Sequence, residues 1–576
     1  MSPDSPAAPK SASAAPPLGP DTALATLIET DRAQLEKAGL VPPDTTDPFA
    51  AALPRVDAES DDERARITDA TARTLATIDR DALSTSARID AEVFDYLLRV
   101  RADMVRTRAR EWPLNSDATF WTGLNAFAPA SLADRAMADR YLNLLAQVPR
   151  FFAENLENLR AGVARGFGPA RPVMTGAANS LEALARSTGA EATPYWKGFA
   201  ALAASRPGTA TQKVLDSARK LIEGTLIPLH RDAHEFLTAD YLPHLPESLA
   251  ATWRPGGEDY YRSLIFEATT EDWDPEQLHA LGLEQVELIR AEMEQLAANL
   301  GHRGDLPGLL AFMKTDSQFY ARTPEELLHF AAWQAKKFDG VAHHYFPRAP
   351  RRRFGIFEPA PEIAPTYTAG RGGPGLYIVN TYDLQSRPLY GIPALTLHEG
   401  APGHAWQIPF AQEAPEVSDF RKKVYMSAYG EGWALYCERL GEDMGIYAND
   451  YERMGMLSYQ MWRAVRLVVD PGIHALGWTR DRAVAYLGDN TALSAHEVGT
   501  EVDRYITWPA QATSYYPGML RIQAARRRAE DALGDRFSLP DFHHAALTLG
   551  SVPMPTFDRE IDRYVASALA TPVPQS

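Results

Sequence analysis

Asp274 to Gly301 reads DPEQLHALGLEQVELIRAEMEQLAANLG. Asp274 supplies a helix N-cap, Pro275 a first-turn proline and Gln277 a capping-box partner. Leu278, Leu281, Val286, Ile289, Met293, Leu296 and Leu300 then recur at helical spacing, and Gly301 ends the run. Thr323-Pro324-Glu325-Glu326 opens a second helix in the same way. Both helical faces read as core packing. Similar patterns recur through most of the chain, so the spacing predicts a mainly α fold, a large helical body with a deep cleft. Strand character is scarce. The clearest case is GLYIVNTY, Gly375 to Tyr382, which follows the turn-rich 370–375 stretch. It reads either as the edge on which an extended substrate lies by strand addition or as an ordinary short buried strand.

The composition limits what such a body does. With 576 residues, 45% hydrophobic and 23% charged, the chain has enough apolar material for a full core. A formal charge of −17 leaves no general basic surface, which argues against a nucleic-acid partner. Arg348 and Arg351 to Arg353 are set among prolines and read as a solvated loop. The single cysteine, Cys437, lies in an apolar helical context, where a small buried side chain is the usual outcome. Residues 1–20 contain one lysine and no apolar core, which predicts a flexible tail, and no stretch approaches the length of a membrane span. The expected organisation is therefore a tail (1–20), an N-terminal helical region (21–256), a site-bearing helical region (257–570) continuous with it, and a short tail (571–576). The expected location is the cytoplasm, with a secreted mature form as the alternative and no membrane partner. Oligomeric state is left open.

Of the 14 histidines, His234, His398 and His496 are each followed by glutamate, but only His398 has a second histidine within helical reach. The segment is Leu395-Thr396-Leu397-His398-Glu399-Gly400-Ala401-Pro402-Gly403-His404. A hydrolytic zinc site needs two neutral imidazoles, a third ligand, an open position and a carboxylate base beside it. Histidines four apart share a helix face, whereas residues six apart point roughly 120° from each other. Pro402-Gly403 resolves this, because proline breaks the ladder and glycine permits the turn. With those two residues looped out, the motif becomes His-Glu-x-x-His with an insertion. Glu431, between Gly430 and Gly432 at the start of an apolar helical run, is the expected third ligand. Zn2+ is the expected cofactor, one per chain, with Glu399 as the base.

HEGAPGH (398–404) paired with EGWALYCERL (431–440) resembles the bacterial "domain of unknown function 885" family, whose pattern is HExxPGH followed by EGWALY. The resemblance extends from about Glu258 to the C-terminus and includes GLYIVNTYDL (375–384), RLVVDPGIHALGW (466–478) and RYITWPAQATSYYPG (504–518). Before about Gly257 only generic helix matches. Ala510 departs from the glycine expected in that last stretch. The family is similar in organisation to helical zinc peptidases in which a glutamate on a second helix completes the metal site. That likeness implies the ligand set His398, His404 and Glu431, a zinc-peptidase-like fold, and a small β element near the metal.

Amide hydrolysis also needs a donor for the developing oxyanion. His474, Tyr515 and Tyr516 are the candidates, with at most one of the two tyrosines facing the metal; His474 follows Asp470-Pro471-Gly472, which reads as a break between helices, and is either a satisfied structural histidine or, as the resemblance implies, a cleft residue. Arg466 and Arg521 suit a substrate carboxylate, although each is also a natural salt-bridge partner. Asn380, Tyr382 and Gln511 are further candidates for substrate binding. The expectation is a zinc-dependent peptidase or amidohydrolase acting on a short peptide or peptide-like metabolite. One alternative is a non-hydrolytic tailoring enzyme (elimination, cyclisation or rearrangement) using the same site. A catalytically silent binding protein is the other, disfavoured by an intact Glu399.

Overall fold

The computed structural model describes residues 19–571 except 43–48, 50, 51, 117, 118, 126, 127, 130, 175 and 362. The expected tails fall outside these residues over 1–18 and 572–576; the first helix, Pro20–Lys37, starts directly after them. The chain is 71% helix and 2% strand, a mainly α fold. No helix among the described residues is long and apolar enough to cross a membrane.

The opening stretch forms the helix Pro275–Asn299, capped by Asp274 accepting from the Glu276 N–H, with Gly301 at φ +86° beyond its end. Thr323 caps Pro324–Val341 by accepting from the Glu326 N–H. Pro275–Asn299 lies along Asp450–His474, a helix buried over most of its length. At the crossing, a Cβ on Gly282 would stand 2.8 Å from both Leu467 Cβ and Val468 Cγ2, so only glycine lets the backbones approach this closely. A second close crossing joins Ser427–Asp443, which carries Glu431, to Tyr515–Leu533. A Cβ on Gly432 would lie 2.6 Å from the Gly518 carbonyl carbon, and one on Gly518 only 1.9 Å from the Ala428 oxygen.

One core runs from Ile89 to Ile561 and gathers both crossings; a second is built from residues between Phe49 and Leu245. Cys437 is buried in the first.

The sheet has three strands: β1 (Gly355–Phe357), β2 (Gly370–Gly373) and β3 (Leu376–Val379). Their order is β1-β3-β2, with β1 parallel and β2 antiparallel to β3. GLYIVNTY therefore contributes the central strand. Both its edges are taken, and Tyr377 and Val379 are fully buried, which corrects the expected strand addition there. Glycine-rich β2 was hidden from the sequence pattern because it has no apolar alternation.

Ala510 has φ +65°, the left-handed region where glycine was expected. Its N–H is held at 3.1 Å by both oxygens of buried Asp470, so the loop keeps its shape despite the side chain.

Gly518→Ala is expected to destabilise the protein by about 1–3 kcal/mol, because backbone must move to admit the methyl group. Gly488→Ala, on a helix with nothing near the added methyl, is the control and is expected to be neutral or slightly stabilising. Urea denaturation midpoints check both; equal midpoints for the two variants would refute the close-crossing argument.

Candidate metal centre

The chain around His398 is built by interrupting a helix. Ile392–Leu395 continues into a π-helical turn, Thr396–Gly400; Ala401 is extended, and a new helix starts at His404. Pro402-Gly403 is the break. A Cβ on Gly403 would lie 1.8 Å from the His398 carbonyl oxygen, so the loop folds back on the preceding turn only with glycine there. Its N–H donates to Leu397 O, and the Trp433 indole N–H ties down Pro402 O at 2.9 Å. The two imidazoles end 5.0 Å apart, nearly perpendicular.

Glu431 Oε2 lies 3.3 Å from His398 Nε2 and 3.4 Å from His404 Nε2. Two ligands held 2.0–2.1 Å from a tetrahedral ion stand about 3.4 Å apart, so this spacing suits zinc. Among the described residues, these three form the one His/Cys/Asp/Glu group with ligand atoms close enough to share an ion, all within 4.8 Å of one another.

Glu438 completes the support. It follows Glu431 by seven residues, two turns along one helix face, and is fully buried. His398 Nδ1–H donates to its Oε1 at 2.8 Å, so Nε2 is the nitrogen turned to Glu431 and the one that would ligate a metal after giving up its proton. Gln460 donates to the other Glu438 oxygen at 3.2 Å. Glu438 escaped the sequence reading, although an acid seven residues after a ligand, at the end of the apolar run Trp433 to Cys437, was a usable signal. Glu399 is steered from the sheet: its Oε2 accepts the Gly372 N–H at 2.6 Å. A Cβ on Gly372 would lie 1.8 Å from the Glu399 carbonyl oxygen, so this strand–helix approach also requires glycine.

The charges at the cluster act on one another. Burial opposes a charge on His398, but hydrogen bonds to Glu431 and Glu438, with the charges of Glu399 and Glu438, outweigh it and raise the imidazole to about 9. Burial likewise opposes the Glu431 carboxylate, yet His404 and His398 hold it well below the usual range. A bound divalent cation suits such a donor set.

Other expected site residues are placed differently. His474 is a structural histidine: its Nδ1 accepts from the Ala251 N–H and its Nε2 donates to Tyr505 O, so neither nitrogen is left for a substrate. Asn380 spends its amide on Ala364 O, Tyr367 O and the Tyr382 N–H, which corrects its assignment to substrate. Arg521 is taken by Glu271 and Asp558. Gln511 accepts from Arg504 at 2.6 Å. Arg466 bonds Tyr505 and Glu501 and packs 4.7 Å from the Tyr515 ring. Tyr516 is buried beside Glu292 and Arg439, lining a cavity of about 300 Å³, so Tyr515 is the one turned toward Arg466. Tyr382 is 64% exposed. Sequence reasoning also missed Tyr425, whose hydroxyl lies 3.4 Å from Glu431 Oε1.

Residues 35–561 match the family described as "Bacterial protein of unknown function (DUF885)". The match reaches well into the N-terminal region, which extends the resemblance beyond the Glu258 boundary drawn from motifs. No curated protein matches the chain. Two solved structures share the fold. A "putative lipoprotein" from Colwellia psychrerythraea superposes with a TM-score of 0.84 at 23% identity, covering 95% of this chain and 100% of that one. A "putative lipoprotein of unknown function" from Shewanella oneidensis does so with a TM-score of 0.68 at 18% identity, covering 94% and 99%.

Glu438→Ala leaves the buried His398 N–H without an acceptor and is expected to weaken zinc retention by about 10- to 100-fold. Chelator competition measures it; an unchanged zinc affinity would remove the orienting role assigned to Glu438.

Proposed function

The chain belongs to this bacterial family of unknown function, and we propose that it is a zinc-dependent hydrolase cleaving an amide or peptide bond in a short peptide or peptide-like metabolite. The observation that carries this reading is the pairing of a His398–His404–Glu431 ligand set with an adjacent carboxylate that is aimed but not consumed. Glu399 Oε2 is pinned by the Gly372 N–H, and Oε1 makes no hydrogen bond among the described residues.

A zinc ion held by the three ligands would supply Lewis acidity toward a carbonyl and toward water. The chain's own contribution is proton handling and orientation. Glu399 Oε1 is free to take a proton from the attacking water and to pass it to the leaving amine nitrogen. Fixing Oε2 on the strand limits the carboxylate to one orientation, so little ordering remains to be done during reaction. The Glu438 contact keeps His398 in the tautomer a ligand needs. His398 and His404 are buried, whereas Glu431 is half-buried, so the cluster opens toward solvent on the side of its carboxylate ligand.

His404→Ala and Glu431→Ala are each expected to lose the metal, as read by elemental analysis against about one zinc per chain in the parent. Metal retained in both would sink this site. Glu399→Gln should keep the metal and lower turnover by about 10²- to 10⁴-fold; unchanged turnover removes its role as base. The substrate is sought with a library of dipeptides and N-acyl amino acids read by mass spectrometry. A gain of one water marks hydrolysis, and a product of unchanged mass marks the rearrangement alternative. The cytoplasmic location expected from the sequence is retained in this proposal and set against solved relatives described as "putative lipoproteins". Cell fractionation distinguishes the two.

A further inference from the structure

Tyr425 lies two residues before the helix that carries Glu431, and three observations single it out. The first is its exposure: the residue is 51% accessible, while its hydroxyl reaches a ligand of the centre, where burial and Glu431 push it well above the usual phenol range. Its backbone, in contrast, is pinned on both sides. Val424 N–H donates to Arg421 O, Met426 N–H donates to Ser551 Oγ at 2.7 Å, and Arg421 is itself buried against Asp90, Ser86 and Leu549 O. An exposed aromatic on a fixed backbone is poised for contact with a ligand rather than disordered.

The second observation is that the fold makes room for this ring. A Cβ on Gly430 would stand 2.4 Å from the Tyr425 hydroxyl and 2.5 Å from two ring carbons. Glycine in the first turns of a helix costs about 1 kcal/mol relative to alanine, and here the missing methyl is the space the tyrosine occupies. The small residue flanking Glu431 on this side thus serves Tyr425, whereas Gly432 on the other side serves the crossing with Gly518.

The third is a division of labour on Glu431. Oε2 faces both imidazoles, and Oε1 faces the tyrosine hydroxyl at 3.4 Å. That distance is long for an O–H to carboxylate bond, which settles at about 2.5–2.7 Å when fully formed. The hydroxyl is near the ligand without being committed to it, and its donor remains available to another oxygen on the open side.

We propose that Tyr425 is a catalytic residue that donates its hydroxyl hydrogen bond to the carbonyl oxygen of the substrate as negative charge builds on it. This rests on the hydrolase reading above and supplies the donor that His474 and Tyr516 do not. The geometry puts the donor beside the carboxylate ligand, on the solvent side of the cluster, where a substrate carbonyl must arrive.

The test uses the zinc-loaded full chain and two probes by calorimetry: acetohydroxamate, which presents oxygen acceptors, and 2-mercaptoethanol, whose sulfur is a weak acceptor. Tyr425→Phe should keep its zinc and bind acetohydroxamate about 10- to 100-fold more weakly, the loss of one charge-assisted hydrogen bond, with mercaptoethanol affinity unchanged. Turnover of any substrate found in the library screen should fall by about 10²- to 10³-fold with KM little changed. Gly430→Ala reaches the same position from the helix side, displacing the ring, and should reproduce both effects with zinc retained; the two changes combined should be no worse than either alone. Equal hydroxamate affinity in parent and both variants overturns the inference. So does loss of zinc from Tyr425→Phe, which would make the tyrosine a support for Glu431. A parent that holds no zinc fails the metal reading itself, a separate outcome read before any variant is made.

Discussion

Everything at the centre depends on one buried imidazole held between two carboxylates on a single helix face. His398 meets Glu431 through Nε2 and Glu438 through Nδ1, so two turns of the Ser427–Asp443 helix fix the position and the tautomer of a residue on another element. With Glu399 nearby, three acids surround this buried ring, Glu438 fully buried and the other two half-buried. Burying that much negative charge is unfavourable unless positive charge accompanies it. The raised imidazole of His398 meets the demand in the isolated chain, and a divalent cation would meet it in the loaded one.

The packing around this clamp relies on missing side chains. Gly403 admits the return of the loop onto His398, Gly372 admits the strand onto Glu399, and Gly432 with Gly518 admits one helix onto another. These contacts involve backbone atoms, which cannot swing aside as a side chain can. The centre is therefore positioned by close approach of main chain from four elements, and the small sheet contributes through its glycine strand rather than through apolar burial.

Much of this was legible in the sequence. The caps at Asp274 and Thr323 marked helix starts because a side-chain oxygen and a following proline act locally, within one turn. The break at Pro402-Gly403 was legible because two histidines six apart cannot share a face of an unbroken helix. Roles that depend on distant partners were not. His474 follows Asp470-Pro471-Gly472, which reads as a break in sequence but lies inside the helix Asp450–His474, and its nitrogens are spent on backbone atoms at Ala251 and Tyr505, remote in sequence. Asn380 is likewise consumed by carbonyls of a preceding loop. The β2 strand gave no periodic signal, and the place of β3 in the middle of the sheet depends on partners that alternation does not reveal. Tyr425 stayed hidden because its link to Glu431 passes through the space above Gly430, a property of a missing atom.

The two histidines differ in a way that bears on how the centre is filled. His398 is gripped on both nitrogens, whereas the outer nitrogen of His404 is buried with no hydrogen-bond partner. One half of the centre is preassembled and the other has a ring whose rotation breaks no bond at Nδ1. Any ion this centre takes would therefore find His398 already oriented through Glu438, whereas the outer edge of the His404 ring is held by packing alone.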